Sequence, residues 1–279
     1  MNLMKGCALK LLKIPLCLVF LLLTVGHSFS QTAEMAWEDL VGTTLIGKKA
    51  YAFVDNRPDF KNVLIYGDSI SVGYTAQVRK KLANKANVYR IYCNGGSSSS
   101  FIEKMNKMQL VMGDESVSGH WSFDWDVIYF NVGLHDLRYL RDRDRRVTTV
   151  AEYKDNLEDI AQYLINLAPD ATLVFATTTP VVEGSKGREA GDAKIYNEAA
   201  FDVFERYPQI IVHDLYSFTK PCIHEWQKSL GDVHFNSIGR RAQGAEVARV
   251  LLDVLKNNDE KMPFIKGPVS RKLGACKGL

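Results

Sequence analysis

Two rhythms of apolar and polar residues alternate along the chain. Lys61–Gly67, Asn87–Cys93, Trp125–Asn131, Thr172–Thr178 and Gln209–His213 are short, compact apolar or β-branched runs of strand length. Between them, Val72–Ala86, Phe101–Met112, Val150–Leu167, Asp192–Arg206 and Ser237–Leu255 carry apolar residues at helical spacing, and Pro169-Asp170 closes the third of these. Strands continuous in apolar character and separated by helices call for a parallel sheet covered on both faces, joined by right-handed crossovers. The expected fold is therefore α/β, three layers with a central parallel sheet. No repeat or flexible linker divides residues 61–256. Residues 31–60 read as an N-terminal extension packed on the domain, with a possible strand at Ala50–Val54. Residues 257–279, with scattered Gly, Pro and Lys, read as a surface tail.

The first thirty residues have another character. Lys5, Lys10 and Lys13 precede an apolar run from Ile14 to Val25, and Ser28-Phe29-Ser30 supplies a small-x-small cleavage site. This is the pattern of a secretory signal peptide, its apolar run too short for a comfortable membrane span. The expectation is a secreted or periplasmic protein with no stable membrane insertion after cleavage. The leader holds three of the 35 basic residues and no acidic one, which leaves a balance of 32 to 32. The net charge of +3 thus belongs to the leader and gives no reason to expect a nucleic-acid partner. Cys7 and Cys17 leave with it, so Cys93, Cys222 and Cys276 can form at most one disulfide, its pairing open.

The first strand stops abruptly at Gly67-Asp68-Ser69-Ile70. Ligands of open α/β sheets bind beyond the carboxyl ends of the strands, where a serine can act as nucleophile. An alcohol is a weak nucleophile at neutral pH and needs a base. Of six histidines, His27 lies in the leader, His213 in a strand, and His120 and His224 in loops without a local partner. His234 stands in Gly231-Asp232-Val233-His234-Phe235, at the entrance of the closing helix, with an acid two residues earlier that could orient its ring.

Gly67-Asp68-Ser69-Ile70, a Gly-bearing loop after the second strand, a Gly-x-x-Asp motif after the third, and Asp232-Val233-His234 near the end together resemble the GDSL or SGNH hydrolases. The resemblance runs from Asn62 to Leu255. Phe130-Asn131-Val132-Gly133-Leu134-His135-Asp136, Thr177-Thr178-Thr179-Pro180 and Asp232-Val233-His234-Phe235 look like one bacterial subgroup. The α/β-hydrolase elbow is a poorer match, since Ser71 takes the place of its second glycine. The resemblance implies a flavodoxin-like sheet, an esterase, lipase or carbohydrate deacetylase activity, Ser69 as nucleophile and His234 as base. It also implies an oxyanion hole from the Ser69 N–H, a backbone N–H of Gly95 or Gly96, and a side chain of the third motif.

Two positions depart from the family pattern. The third motif usually reads Gly-x-Asn-Asp, and His135 occupies its asparagine position, while Asn131 stands four residues earlier. Both can donate; Asn131 is preferred because an amide donates at every pH. The acid usually lies three residues before the histidine, where Gly231 stands, so Asp232 is chosen as its orienter, with Asp214 or a backbone carbonyl as alternatives.

Other residues carry weaker expectations. Asp68, Arg138 and Arg188 are candidate substrate contacts, the arginines for an anionic group. Trp121, Phe123 and Trp125 are expected in the core, and Ser97–Ser100 at a helix start. The chemistry requires no metal and no organic cofactor. The expected partner is an acylated small molecule or glycan, with lipid esters as the enzymatic alternative and a catalytically silent glycan-binding protein as the competing class.

Overall fold

The structure is a computed structural model and describes residues 31–140, 145–260 and Cys276. The leader, and the tail apart from those residues, lie outside the described residues. Five parallel strands, β1 (Lys61–Tyr66), β2 (Ala86–Arg90), β3 (Val127–Phe130), β4 (Thr172–Ala176) and β5 (Ile210–His213), form one sheet in the order β2-β1-β3-β4-β5. This is the expected α/β sheet. β2, β3 and β4 are buried along their whole length, and β1 from Val63 to Tyr66, as a sheet with helices on both faces requires.

Helix α1 (Ala33–Val41) leads the chain, α2 (Ser69–Lys81) joins β1 to β2, and α3 (Phe101–Met112) joins β2 to β3. Next come α4 (Val150–Leu167) and α5 (Asp192–Phe204), then the short α6 (Leu215–Thr219) and α7 (Ile223–Trp226), and the closing α8 (Ser237–Glu260). α2 packs on α8, while α1, α3, α4 and α5 form the other layer. β1 pairs with β2 on one side and β3 on the other. From β1 the chain moves first one way and then the other, so the crevice past the carboxyl ends of β1 and β3 is the topological switch point.

α3 and α4 begin and end where the periodicity puts them. α4 is framed by a capping box, with Thr149 accepting from Glu152 N–H and the Glu152 carboxylate accepting from Thr149 N–H. α2 differs: it begins at Ser69 instead of Val72, because Asp68 Oδ1 accepts from Ile70 N–H at 2.8 Å and caps it three residues earlier.

The extension departs further. Ala50–Val54 is no strand: Lys49–Tyr51 is a single 3-10 turn followed by irregular chain. Side chains take the backbone carbonyls that a neighbouring strand would need. Trp37 Nε1 donates to Tyr51 O at 2.7 Å, and Arg79 Nη1 to Lys49 O and Ala52 O. α1 was not anticipated; it buries Trp37, which packs on Trp121 with ring centroids 5.2 Å apart. Trp121 and Trp125 are core residues, as expected, while Phe123 is only partly buried, packed against the core. Cys222 and Cys276 are disulfide-bonded, and Cys93 is free. No helix among the described residues is long and apolar enough to cross a membrane.

Candidate active site

Where β1 ends, Gly67 turns the chain, Asp68 caps α2, and Ser69 becomes that helix's first residue. Its backbone N–H is one of the free donors at a helix start. The turn is pinned from two sides. Gly95 N–H donates to Gly67 O at 3.0 Å, and Arg90 Nη2 donates to the same oxygen at 3.2 Å. Gly95 must be glycine, since a Cβ there would lie 2.9 Å from the Gly67 carbonyl and 2.8 Å from the Tyr66 ring.

His234 reaches Ser69 from the far end of the sequence. Its loop is tied down by Lys228 N–H to His234 O (2.8 Å) and Asn236 N–H to Trp226 O (2.7 Å), and Asn236 Oδ1 accepts from Ile238 and Gly239 at the start of α8. Gly231, at φ +73°, is wedged under the Gly184 carbonyl, which a Cβ would meet at 2.7 Å. So held, His234 Nε2 lies 2.9 Å from Ser69 Oγ and His234 Nδ1 lies 2.7 Å from Asp232 Oδ1. Asp232 Oδ1 also accepts the His234 backbone N–H at 2.9 Å. Burial would raise the Asp232 carboxyl, but the His234 backbone and ring donors outweigh it and hold it below its ordinary value. The carboxylate therefore stays ionised and favours the tautomer with the proton on Nδ1, leaving the Nε2 lone pair for the serine. Asp214, the alternative acid, instead caps α6 by accepting from Ser217 N–H at 3.0 Å.

The third-motif residues separate in role. Asn131 is buried at the end of β3 and gives its amide to Ala176 O at 2.7 Å, tying β3 to β4. One of its two amide hydrogens is thus engaged in a structural bond. His135 is half-buried, and burial holds its imidazolium below the ordinary range against the pull of Asp68, so a neutral ring stands there at neutral pH. The amides of the glycine loop have partners within the fold. Gly95 N–H is taken by Gly67 O and Gly96 N–H by Asn94 Oδ1 at 3.0 Å, so both amides are satisfied within the fold.

Two supports escaped the sequence. Arg90, fully buried at the end of β2, donates to Ser71 Oγ at 2.9 Å and to Cys93 O at 3.2 Å besides Gly67 O, so one guanidinium joins the serine turn to the glycine loop. An arginine within a run expected to be wholly buried was the available signal. Asp136, the residue after His135, accepts Ser98 N–H at 3.0 Å and Ser98 Oγ–H at 2.6 Å, locking the third motif to the start of α3. Arg188 donates through Nε to Leu134 O at 2.8 Å, and Arg138 is exposed beside it. Arg146 is structural, paired with Asp192 at 2.6 Å. Among the described residues no group of His, Cys, Asp and Glu side chains has the arrangement of a metal site.

Residues 65–242 match the GDSL-like Lipase/Acylhydrolase family. No curated protein matches the chain. Solved structures share its fold. A lipase/acylhydrolase from Enterococcus faecalis is 20% identical over 72% of this chain and 96% of its own, with a TM-score of 0.53. A carbohydrate esterase family 2 enzyme with a carbohydrate-binding domain from Corynascus thermopiles is 18% identical over 72% of this chain and 68% of its own, TM-score 0.52. The acetyl xylan esterase AlAXEase is 17% identical over 70% of this chain and 99% of its own, TM-score 0.50. At such identities these likenesses speak for the fold, whereas the family match covers more than half of the chain and takes in both Ser69 and His234. The chain belongs to the GDSL-like lipase/acylhydrolase family of ester hydrolases.

Proposed function

We propose that the protein is a secreted serine esterase that removes O-acyl groups, acetyl foremost, from carbohydrates. The observation that carries this is the line Asp232–His234–Ser69, with contacts of 2.7 and 2.9 Å. Ser69 Oγ attacks the ester carbonyl while His234 Nε2 takes its proton. The tetrahedral oxyanion is met by the Ser69 N–H at the start of α2 and by a ring N–H of His135. His234 returns the proton to the departing alcohol, leaving an acyl-serine. Water then attacks with His234 again as base, the acid departs, and Ser69 recovers its proton.

His135 is preferred to Asn131 because the bond to Ala176 O takes one of the two Asn131 amide hydrogens and fixes where the other points, and because a neutral imidazole needs only the right tautomer to donate. The Gly95-Gly96 loop serves as a wall and brace of the hole. The carbohydrate assignment is supported by the two carbohydrate-esterase relatives of the fold. Export is supported by the leader pattern and by the Cys222–Cys276 disulfide, which forms and persists in oxidising compartments.

The test is Ser69→Ala assayed on a short nitrophenyl ester and on a panel of acetylated sugars. Wild type releases acetate from the sugars, and the variant loses roughly 10³-fold or more in kcat. Wild-type turnover retained by the variant would overturn the nucleophile assignment.

A further inference from the structure

Beside the catalytic line sits an excess of positive charge that the hydrolysis itself does not use. Arg188 lies in the segment between β4 and α5, which touches both halves of the site. Its Gly184 carbonyl rests on Gly231, just before Asp232, and Tyr139 N–H donates to Gly187 O at 2.8 Å. Arg188 is half-buried and fixed through Nε to Leu134 O, the residue before His135. Arg138 runs along Gly187, so that a Cβ there would lie 3.7 Å from its Cγ and 3.8 Å from its Nε.

Neither arginine has a carboxylate within ion-pairing distance among the described residues, although Arg146 nearby has Asp192. The Arg188 guanidinium is held down by its burial and by Arg138, against the opposing pull of Asp68. Asp68 is fully buried, with Oδ1 capping α2 and Oδ2 making no hydrogen bond to Arg188. Two guanidinium groups side by side, one of them half-desolvated, cost free energy unless a ligand supplies the missing anion. Arg188 is fixed to the residue before His135, and it acts electrostatically on both His135 and Asp68, the residue before Ser69.

We infer that Arg188, backed by Arg138, binds a carboxylate carried by the ester substrate. The site therefore selects acyl esters of negatively charged molecules over neutral ones. This rests on the serine-esterase reading and adds the substrate class. The carboxylate can enter on either side of the ester bond, as a dicarboxylic acyl group or as an acylated uronic acid. An Arg–carboxylate pair is bidentate and planar, so lysine is a poor substitute.

The experiment compares kcat/KM within two matched pairs: mono-nitrophenyl succinate against nitrophenyl butyrate for the acyl side, and acetylated galacturonate against acetylated galactose for the alcohol side. Wild type prefers the anionic member of at least one pair by about tenfold or more, the value of a charge-assisted hydrogen bond. Arg188→Gln brings that ratio close to one, Arg188→Lys keeps part of it, Arg138→Gln lowers it in part, and salt shrinks it. Each ratio is taken on one preparation, so a partly unfolded variant does not mimic the effect. Equal turnover within both pairs by wild type, or a preference that survives the double Arg138→Gln, Arg188→Gln variant, would overturn the inference and leave the esterase reading standing. No turnover of any ester by wild type would overturn both.

Discussion

The two ends of the sheet are built from the same strands and do opposite things with polar groups. At the amino end they satisfy one another. Asn87 donates to Asn56 Oδ1, Arg57 O and Asn62 Oδ1 within 3.0 Å, and Asp126 accepts Asn62 N–H at 2.7 Å and pairs with Lys61 at 3.1 Å. Among the described residues its unpartnered buried side-chain atoms include the indole nitrogens of Trp121 and Trp125, within an aromatic cluster, and Arg79 Nη2. At the carboxyl end, which carries the Ser69–His234 pair, buried polar atoms stand without hydrogen-bond partners, among them Asp68 Oδ2, Arg90 Nε and Thr179 Oγ1. A cavity of about 730 Å³ opens at the amino end between Pro58, Trp125 and Pro169, and no histidine lines it. That hollow does not coincide with the Ser69–His234 pair.

The contrast makes its largest prediction at His135. His135→Ala should cost about 10²-fold in kcat with little change in KM, the usual loss of one oxyanion donor. Asn131→Ala should act mainly on stability, through the lost bond to Ala176. Steady-state kinetics alongside thermal melts separates them, and a larger kcat loss in Asn131→Ala would reverse the assignment. A smaller effect is expected at the other end. Asn87→Ala strips several acceptors of one donor and should lower stability by about 1–3 kcal/mol, seen in denaturant melts, with kcat unchanged.

The smallest effect concerns pH. Burial holds His213 at about 4 against an ordinary 6.5, in a closed site where its Nδ1 lies 2.8 Å from the Tyr129 hydroxyl. The unfolded chain then binds a proton that the native state refuses. The stability contributed is complete above pH 6.5 and is lost as the pH falls toward 4, with a slope of order 1 kcal/mol per pH unit. Melting temperatures recorded across this window should fall with acid, and His213→Gln should flatten the curve whatever its absolute stability. An unchanged slope would show that another group governs the acid transition.

Much of this arrangement is legible in the sequence, and the gaps have physical causes. α3 and α4 are readable because periodicity and end signals agree, Thr149 and Glu152 at one end of α4 and Pro169 at the other. The sheet follows from its five apolar runs. Ser69 and His234 are readable because each stands at an element boundary, after β1 and before α8. What eludes the sequence depends on distant partners. Asn131 looks unattached until β4 brings Ala176 O beside one of its amide hydrogens, and Gly95 and Gly96 look like free amides until Gly67 and Asn94 take them. Arg90 stands out as a charge within an apolar run, but its partner is not visible until the turn at Gly67 closes over it. Ala50–Val54 has strand composition, but its carbonyls are claimed by Trp37 and Arg79 from elsewhere in the chain. The Cys222–Cys276 link joins residues 54 apart across a segment with no pairing signal of its own.

The central claim is that His234 activates Ser69 in the folded protein. Its most direct test is labelling of the native chain with a serine-directed fluorophosphonate, followed by mass mapping of the adduct. The account predicts a single adduct on Ser69, formed quickly in wild type and slowed by orders of magnitude in His234→Ala. No adduct on Ser69, or one formed equally fast without His234, would contradict it.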